Sequence, residues 1–184
     1  MDNGADSYRR FLEGNDEGLA EIIRQYSDGL ILYIDSFIRN IGVSEDIMED
    51  VFVEIAIKKP KYSERSSFKT WLYSIAHHVA VDHIRKNSHY HNVPMDERQK
   101  LSDETDLEKS HIIKEQKIEL YKAMSIMNPD YRQILYLIYF EDFSYDEAAK
   151  IMKKSGKQIK NLVYRAKEAL RKELERRGFV YEEL

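Results

Sequence analysis

Residues that let a chain turn sharply are scarce here: 7 Gly and 3 Pro in 184 residues. A fold built on sheets reverses direction every ten residues or so (roughly 8–12 in sandwiches). Each tight reversal wants residues that accept unusual backbone angles. Too few are present, so the chain reads as all-α. The apolar residues agree. Ile47, Met48, Val51, Phe52 and Ile55 recur at intervals of three and four, the mark of one buried helix face.

Helices are expected over 7–26 and 28–40, with a break at Ile41-Gly42-Val43-Ser44. Ser44 is read as the N-cap of the next helix, with Asp46 near its positive end. Pro60 stops that helix, and 58–67 is a polar loop. From about Phe68 a further helix turns Leu72, Ile75, Ala76 and Val79 inward, and Ser74, His78, Asp82 and Arg85 to another face. Periodicity is lost from 87 to 110 and resumes near Ile112. Asn128-Pro129-Asp130 restarts the chain into a helix over about 130–140. Ser144 with Glu147 forms a capping box for a short helix ending near Met152, and a last helix follows Ser155 to about Arg177. The expected architecture is two small helical domains, 1–87 and 112–184, joined by a flexible linker at 88–111. The second contains a helix-turn-helix.

Composition narrows the chemistry. There are no cysteines, so disulfides and thiolate metal sites are excluded. The N-terminus has neither basic stretch nor apolar run, which argues against a signal peptide. The longest apolar run, Leu30 to Ile34, is far short of the ~20 residues of a membrane span. A cytoplasmic protein without stable membrane insertion is expected. His77, His78 and His83 share a helix without i, i+4 pairing, and His89 and His91 lie in the linker, so no metal site is expected. Phosphate-binding glycine loops, nucleophile elbows and HExxH are all missing. The reading is therefore no enzyme, no catalytic residue, no cofactor and no small-molecule substrate.

Charge is divided along the chain. The net charge is −4, yet residues 150–177 hold 11 Lys and Arg against 3 Asp and Glu. Residues 1–87 hold 11 against 15. Two partners of opposite electrostatic character are implied. In the last helix Lys157, Lys160, Tyr164, Lys167 and Arg171 share one face, beside Gln158, Asn161 and Arg165. Gln and Asn can bond adenine edges, Arg can bond guanine, and Lys suits phosphates.

The segment from Asn128-Pro129-Asp130 through Phe143-Ser144-Tyr145-Asp146-Glu147 to Met152, with Ile159 to Leu170, resembles the minus-35-reading domain of extracytoplasmic-function sigma factors. Lys153 and Lys154 stand where that family often has Gly and an aliphatic residue, and Leu162 where a basic residue is common. In the first half, Ser44 to Ile55 resembles the helix by which sigma factors grip core polymerase. Ser67 to Lys86, with Phe68, Trp71 and Leu72, resembles the helix that reads the minus-10 element.

The resemblance implies a factor that binds core RNA polymerase and directs promoter recognition. Asp46, Glu49 and Asp50 would meet polymerase. Lys61, Tyr62, Arg65, Ser66 and Ser67 in the loop, with Ser74, His78, Asp82, Arg85 and Lys86 on the following helix, would meet the minus-10 strand. His78 stands where relatives often have Asn. Ser155, Lys157, Gln158, Lys160, Asn161, Tyr164, Arg165 and Lys167 would meet the minus-35 element. Trp71 reads as core. Relatives are commonly regulated by an anti-sigma factor linked to the membrane. The free protein is expected to hold its two DNA-reading domains in loose tether. The alternative is a free-standing helix-turn-helix regulator, which would need no polymerase-binding helix.

Overall fold

The computed structural model describes residues 3–87 and 120–178, and every regular element among them is helical. Four helices come first: α1 (Asn3–Leu12), α2 (Glu17–Ile38), α3 (Ile41–Lys58) and α4 (Phe68–Asn87). Residues 120–125 are also helical. Then follow α5 (Pro129–Tyr139), α6 (Tyr145–Ile151) and α7 (Gly156–Arg176). The expected linker at 88–111, with its Pro and two His residues, and the expected helix start near Ile112 lie outside the described residues.

Two boundaries differ from the sequence reading. The first break falls at 13–16, inside the helix expected over 7–26. There Gly14 adopts φ +97°, and the Asn15 side chain accepts from the Glu17 N–H at 3.1 Å. A Gly-Asn reversal outweighs an amphipathic pattern that runs through it. The turn folds α1 onto α2, where Gly18 allows close approach: a Cβ there would lie 2.2 Å from the Ser7 carbonyl oxygen. The second correction concerns Ser44. Asn40 is the N-cap of α3, its side chain accepting from the Val43 N–H at 3.2 Å. Ser44 is buried within the helix and donates to the Asn40 carbonyl at 2.9 Å. In the second half the caps match the sequence. Ser144 and Glu147 form the capping box of α6, and Ser155 with Gln158 forms that of α7.

Helix α2 is the common wall of the molecule. It buries Ile22, Tyr26, Leu30, Tyr33, Ile34 and Phe37. An aromatic cluster closes the end of the first bundle. Phe68 is fully buried, with ring centroids 5.7 Å from Tyr8, 5.9 Å from Tyr26, 5.5 Å from Tyr62 and 5.2 Å from Trp71. Trp71 is only half-buried and packs on the outside of this cluster. Tyr8 donates to the Pro60 carbonyl at 2.6 Å, which ties the 58–67 loop down at its start.

The two halves are docked, where loose tethering was expected. Tyr33 on α2 meets Tyr136 on α5 at 6.3 Å, and Tyr73 on α4 meets Phe143 at 5.0 Å, edge to face. Arg132 on α5 is buried and donates to the carbonyls of Ser36 and Phe37 at the end of α2. It also donates to the carbonyl of Met127 in its own half. Helix α2 has no basic residue in its last turn, and the other half supplies that cation.

Phe68→Ala should cost about 3–5 kcal/mol of stability, because four rings would face the cavity it leaves. A urea titration followed by far-UV circular dichroism measures this.

Candidate protein and nucleic-acid interfaces

Helix α3 presents its acidic residues to solvent. Asp46, Glu49 and Asp50 are all exposed, while Ile47, Val51, Phe52 and Ile55 point inward. The acidic stripe continues into two aliphatic residues, Val53 at 53% exposure and Ile57 at 77%. Positions 46, 49, 50, 53 and 57 follow one another at steps of three and four, out of phase with the buried set. The sequence reading missed Val53 and Ile57. The signal was available, since neither falls on the buried stripe. A shallow groove beside them is completed by Val79 and Lys86 of α4. An acidic edge running into exposed aliphatics fits a protein surface better than a phosphate backbone.

In the loop, Lys61, Arg65 and Ser67 are exposed and Ser66 is half-buried. Tyr62 is drawn inward: its ring packs on Phe68 and Trp71, and its hydroxyl donates to the Ser66 carbonyl at 2.6 Å. It shapes the loop from within. At the start of α4, Ser67 Oγ accepts from the Thr70 N–H at 3.2 Å and lies 2.8 Å from Thr70 Oγ1. Ser74 donates to the Thr70 carbonyl at 2.7 Å. One helical turn on, His78 is exposed with Nε2 at 3.5 Å from Asp82, and Asp82 pairs with Arg85 at 3.2 Å. Lys86 is exposed nearby. His78, Asp82 and Arg85 thus form one charged row, as their spacing suggested.

The basic face of α7 is also laid out as its spacing predicts. Ile159, Val163 and Ala166 are buried, and Lys157, Lys160, Asn161, Tyr164, Arg165 and Lys167 are exposed. Tyr164 shows 70% of its surface, unusual for an aromatic ring with only its own helix beside it. Ser155 and Gln158 are exposed at the helix start, where Gln158 Oε1 accepts from the Ser155 N–H at 2.7 Å. Lys167 lies 6.0 Å above the Tyr139 ring. Arg171, at the far end of the face, pairs with Glu168 and Glu175 of its own helix. The turn into α7 places Lys153 at φ +50°, the left-handed conformation that glycine adopts most readily. A short helix, a tight left-handed turn and a second helix with a basic outer face make a helix-turn-helix.

These surfaces lie within two segments that match known families. Residues 22–90 match "Sigma-70 region 2", and residues 117–170 match "Sigma-70, region 4", together about two thirds of the chain. The chain belongs to the sigma-70 family, in its extracytoplasmic-function group. Among its relatives is the ECF RNA polymerase sigma factor SigX of Bacillus subtilis, 26% identical across 82% of this chain and 80% of that protein. SigM of the same organism is 27% identical across 82% of this chain and 91% of its own length. Two solved structures share the fold. The sigma factor RpoE from Bartonella quintana, in complex with the anti-sigma factor NepR, matches with a TM-score of 0.66 and 21% identity, over 85% of this chain and 96% of that one. CnrH, in complex with the cytosolic domain of CnrY, matches with a TM-score of 0.63 and 16% identity, over 94% and 95%.

As a sigma factor, the protein directs core RNA polymerase to promoters and starts transcription there. Region 2 comprises α2, α3 and α4, and region 4 comprises α5, α6 and α7, each carrying one of the charged faces just described. The free-standing regulator is not favoured, because a region 2 match accompanies the helix-turn-helix. Sigma factors are in general non-catalytic regulators of initiation. Among the described residues, no helix is long and apolar enough to cross a membrane.

One titratable group sits where the two regions meet. His77 on α4 is largely buried, with Nδ1 3.0 Å from the Tyr33 hydroxyl. Burial, then the charge of Lys153, lowers its pKa to about 4. The unfolded chain takes up this proton near pH 6.5, well before the folded chain does. Its contribution is therefore full above about pH 6.5 and falls as the pH drops toward 4. Between pH 7 and pH 5 the wild type should lose about 2 kcal/mol more than His77→Gln, measured by urea unfolding at the two pH values.

Proposed function

We propose that the three exposed faces divide the work of initiation. The α3 stripe of Asp46, Glu49 and Asp50, extended by Val53 and Ile57, grips core polymerase. The acidic residues speed encounter with a basic partner surface, and the two aliphatics give the contact an apolar centre. The loop residues Lys61, Arg65, Ser66 and Ser67, held in shape by Tyr62, receive the minus-10 strand. Ser74, His78, Asp82, Arg85 and Lys86 continue that contact along α4. An exposed mix of cations and hydroxyls suits a single strand with splayed bases.

Helix α7 reads the minus-35 duplex. Asn161 and Arg165 address base edges, with Gln158 offering its amide nitrogen. Lys157, Lys160 and Lys167 hold phosphates, Ser155 sets the helix start, and Tyr164 supplies an apolar contact. The protein performs no chemistry itself and acts in the cytoplasm, where polymerase is found. An anti-sigma factor would regulate it by covering these faces, as the complexes of RpoE with NepR suggest for a chain of this fold.

The observation that carries this reading is the pairing of an acidic-aliphatic face in region 2 with a basic face in region 4. A free duplex-binding protein needs only the second. Mixed with sigma-free bacterial core polymerase, the protein should co-elute on a sizing column. Reversing Asp46, Glu49 and Asp50 to Lys should abolish the complex. A complex that survives the reversal would remove α3 from the interface.

Lys160→Ala combined with Arg165→Ala should weaken promoter binding by the holoenzyme. It should also reduce the slope of log affinity against log salt by about 2, one for each lost phosphate or base contact. Filter binding across a salt series measures both.

A further inference from the structure

The docking of region 4 on region 2 falls on the surface assigned above to the minus-10 strand. Glu147 of α6 accepts from Thr70 Oγ1 at 2.9 Å and from Ser67 Oγ at 3.3 Å. Burial would raise its pKa, but these bonds and those from Ser144 hold its carboxyl below the usual carboxylate range. Lys150 donates to the Arg65 carbonyl at 3.3 Å, and Lys153 Nζ stands 3.3 Å from His78 Nδ1. Arg65, Ser67 and His78 are all residues given to the strand. Helix α6 and the turn after it therefore lie across the entrance to α4.

A second contact locks this arrangement. Glu141, in the turn between α5 and α6, inserts its carboxylate between α2 and α4 and leaves only 12% of its side chain exposed. It pairs with Lys69 Nζ at 2.8 Å and accepts from the Tyr136 hydroxyl at 3.3 Å. Lys69 also donates to the Glu141 carbonyl at 2.9 Å and lies 4.8 Å above the Phe143 ring. Gly29 of α2 makes the space. A Cβ there would lie 2.5 Å from the Tyr73 hydroxyl and 3.1 Å from Glu141 Oε1. In the middle of a helix glycine is otherwise unfavourable.

We infer that the free chain is closed: its own helix-turn-helix domain occupies the minus-10 face, and strand binding there requires the two regions to part. This rests on the assignment of the 58–67 loop and α4 to the strand. Glu141 and Glu147 engage an ammonium and two hydroxyls, the donor types that a nucleic-acid phosphate also uses. The acidic residues of region 4 thus substitute for the nucleic acid. The DNA face of α7 stays open, with Lys157, Lys160, Asn161, Tyr164 and Arg165 exposed. In the closed form, region 4 can meet duplex while region 2 cannot meet a strand.

The chain has no cysteine, so Glu13→Cys and Lys172→Cys, both at exposed positions, carry a pair of spin labels cleanly. Pulsed dipolar spectroscopy on the full chain should give one narrow distance. Glu141→Lys should broaden it, and adding Lys69→Glu should restore it by reversing the pair. Gly29→Ala, which adds no charge, should raise the open-to-closed ratio about tenfold. It should tighten binding of a random-sequence 20-nucleotide single strand by a similar factor, with helicity retained by circular dichroism. A broad distance in the free wild type would overturn the closure. So would saturation with the strand that leaves the narrow distance in place. Core polymerase binding by the same labelled chain on a sizing column tests the underlying assignment separately. Loss of that complex would overturn the sigma interfaces, whereas a broad free distance beside an intact complex overturns the closure alone.

Discussion

The carbonyls of Ser36 and Phe37 close the last turn of α2, and a guanidinium from the other region meets them. A helix end leaves carbonyl groups that must find partners, and its partial negative charge favours a cation. Helix α2 ends without a basic residue of its own. Arg132 fills that role from α5, and the same guanidinium ties down the Met127 carbonyl ahead of its helix. Burial, with Arg39 beside it, lowers the Arg132 pKa to about 10, so it remains charged at neutral pH. Around this one residue the wall of region 2 and the frame of region 4 become continuous. The aromatic contacts of Tyr33 with Tyr136 and of Tyr73 with Phe143 then have a fixed geometry in which to form.

Each region keeps a face free of that shared core. In α3 the buried residues fall on one stripe and the acidic and aliphatic exposed residues on another. In α7 the buried stripe of Ile159, Val163 and Ala166 fixes the rotation of the helix, so the basic residues can only face outward. The recognition surface follows from the core by helical geometry. It gains definition at its start, where the capping box of Ser155 and Gln158 sets the first turn. Gln158 thereby has a structural duty beside any contact with a base.

What could be read from the sequence was local. The Ser144 and Glu147 cap, the proline restart at Pro129 and the outward face of α7 each depend on a few neighbouring residues. The misplaced first break shows the limit. The amphipathic pattern runs on through 13–16, and only Gly14 and Asn15 mark the turn. Ser44 misled because a serine before acidic residues looks like a cap, while Asn40, four residues earlier, already held that place. The docking left no periodic trace at all. Tyr33 and Tyr73 read as members of their own domain's core, yet they also face Tyr136 and Phe143, reached across a long interval of chain. Pairings of this kind are fixed by shape and by satisfaction of polar groups, which spacing does not encode.

The chemistry of the seam suits a contact made to open. A permanent interface is commonly aliphatic, and separating it would expose apolar surface to water. Here nearly every group across the seam ends in a polar atom: the hydroxyls of Tyr33, Tyr73 and Tyr136, the guanidinium of Arg132, the ammonium of Lys69, the carboxylates of Glu141 and Glu147, and Thr70. Burial pushes the three tyrosine hydroxyls up, with Glu141 adding to the effect at Tyr73 and Tyr136. On opening, water replaces each lost partner, so the net cost of parting is small for each bond. A modest differential affinity for the open form is then enough to shift the balance. Core polymerase, by holding the two regions apart on its own surface, supplies that differential affinity and lets two weak DNA contacts act as one. A closed free chain and an open bound one follow from the same polar seam.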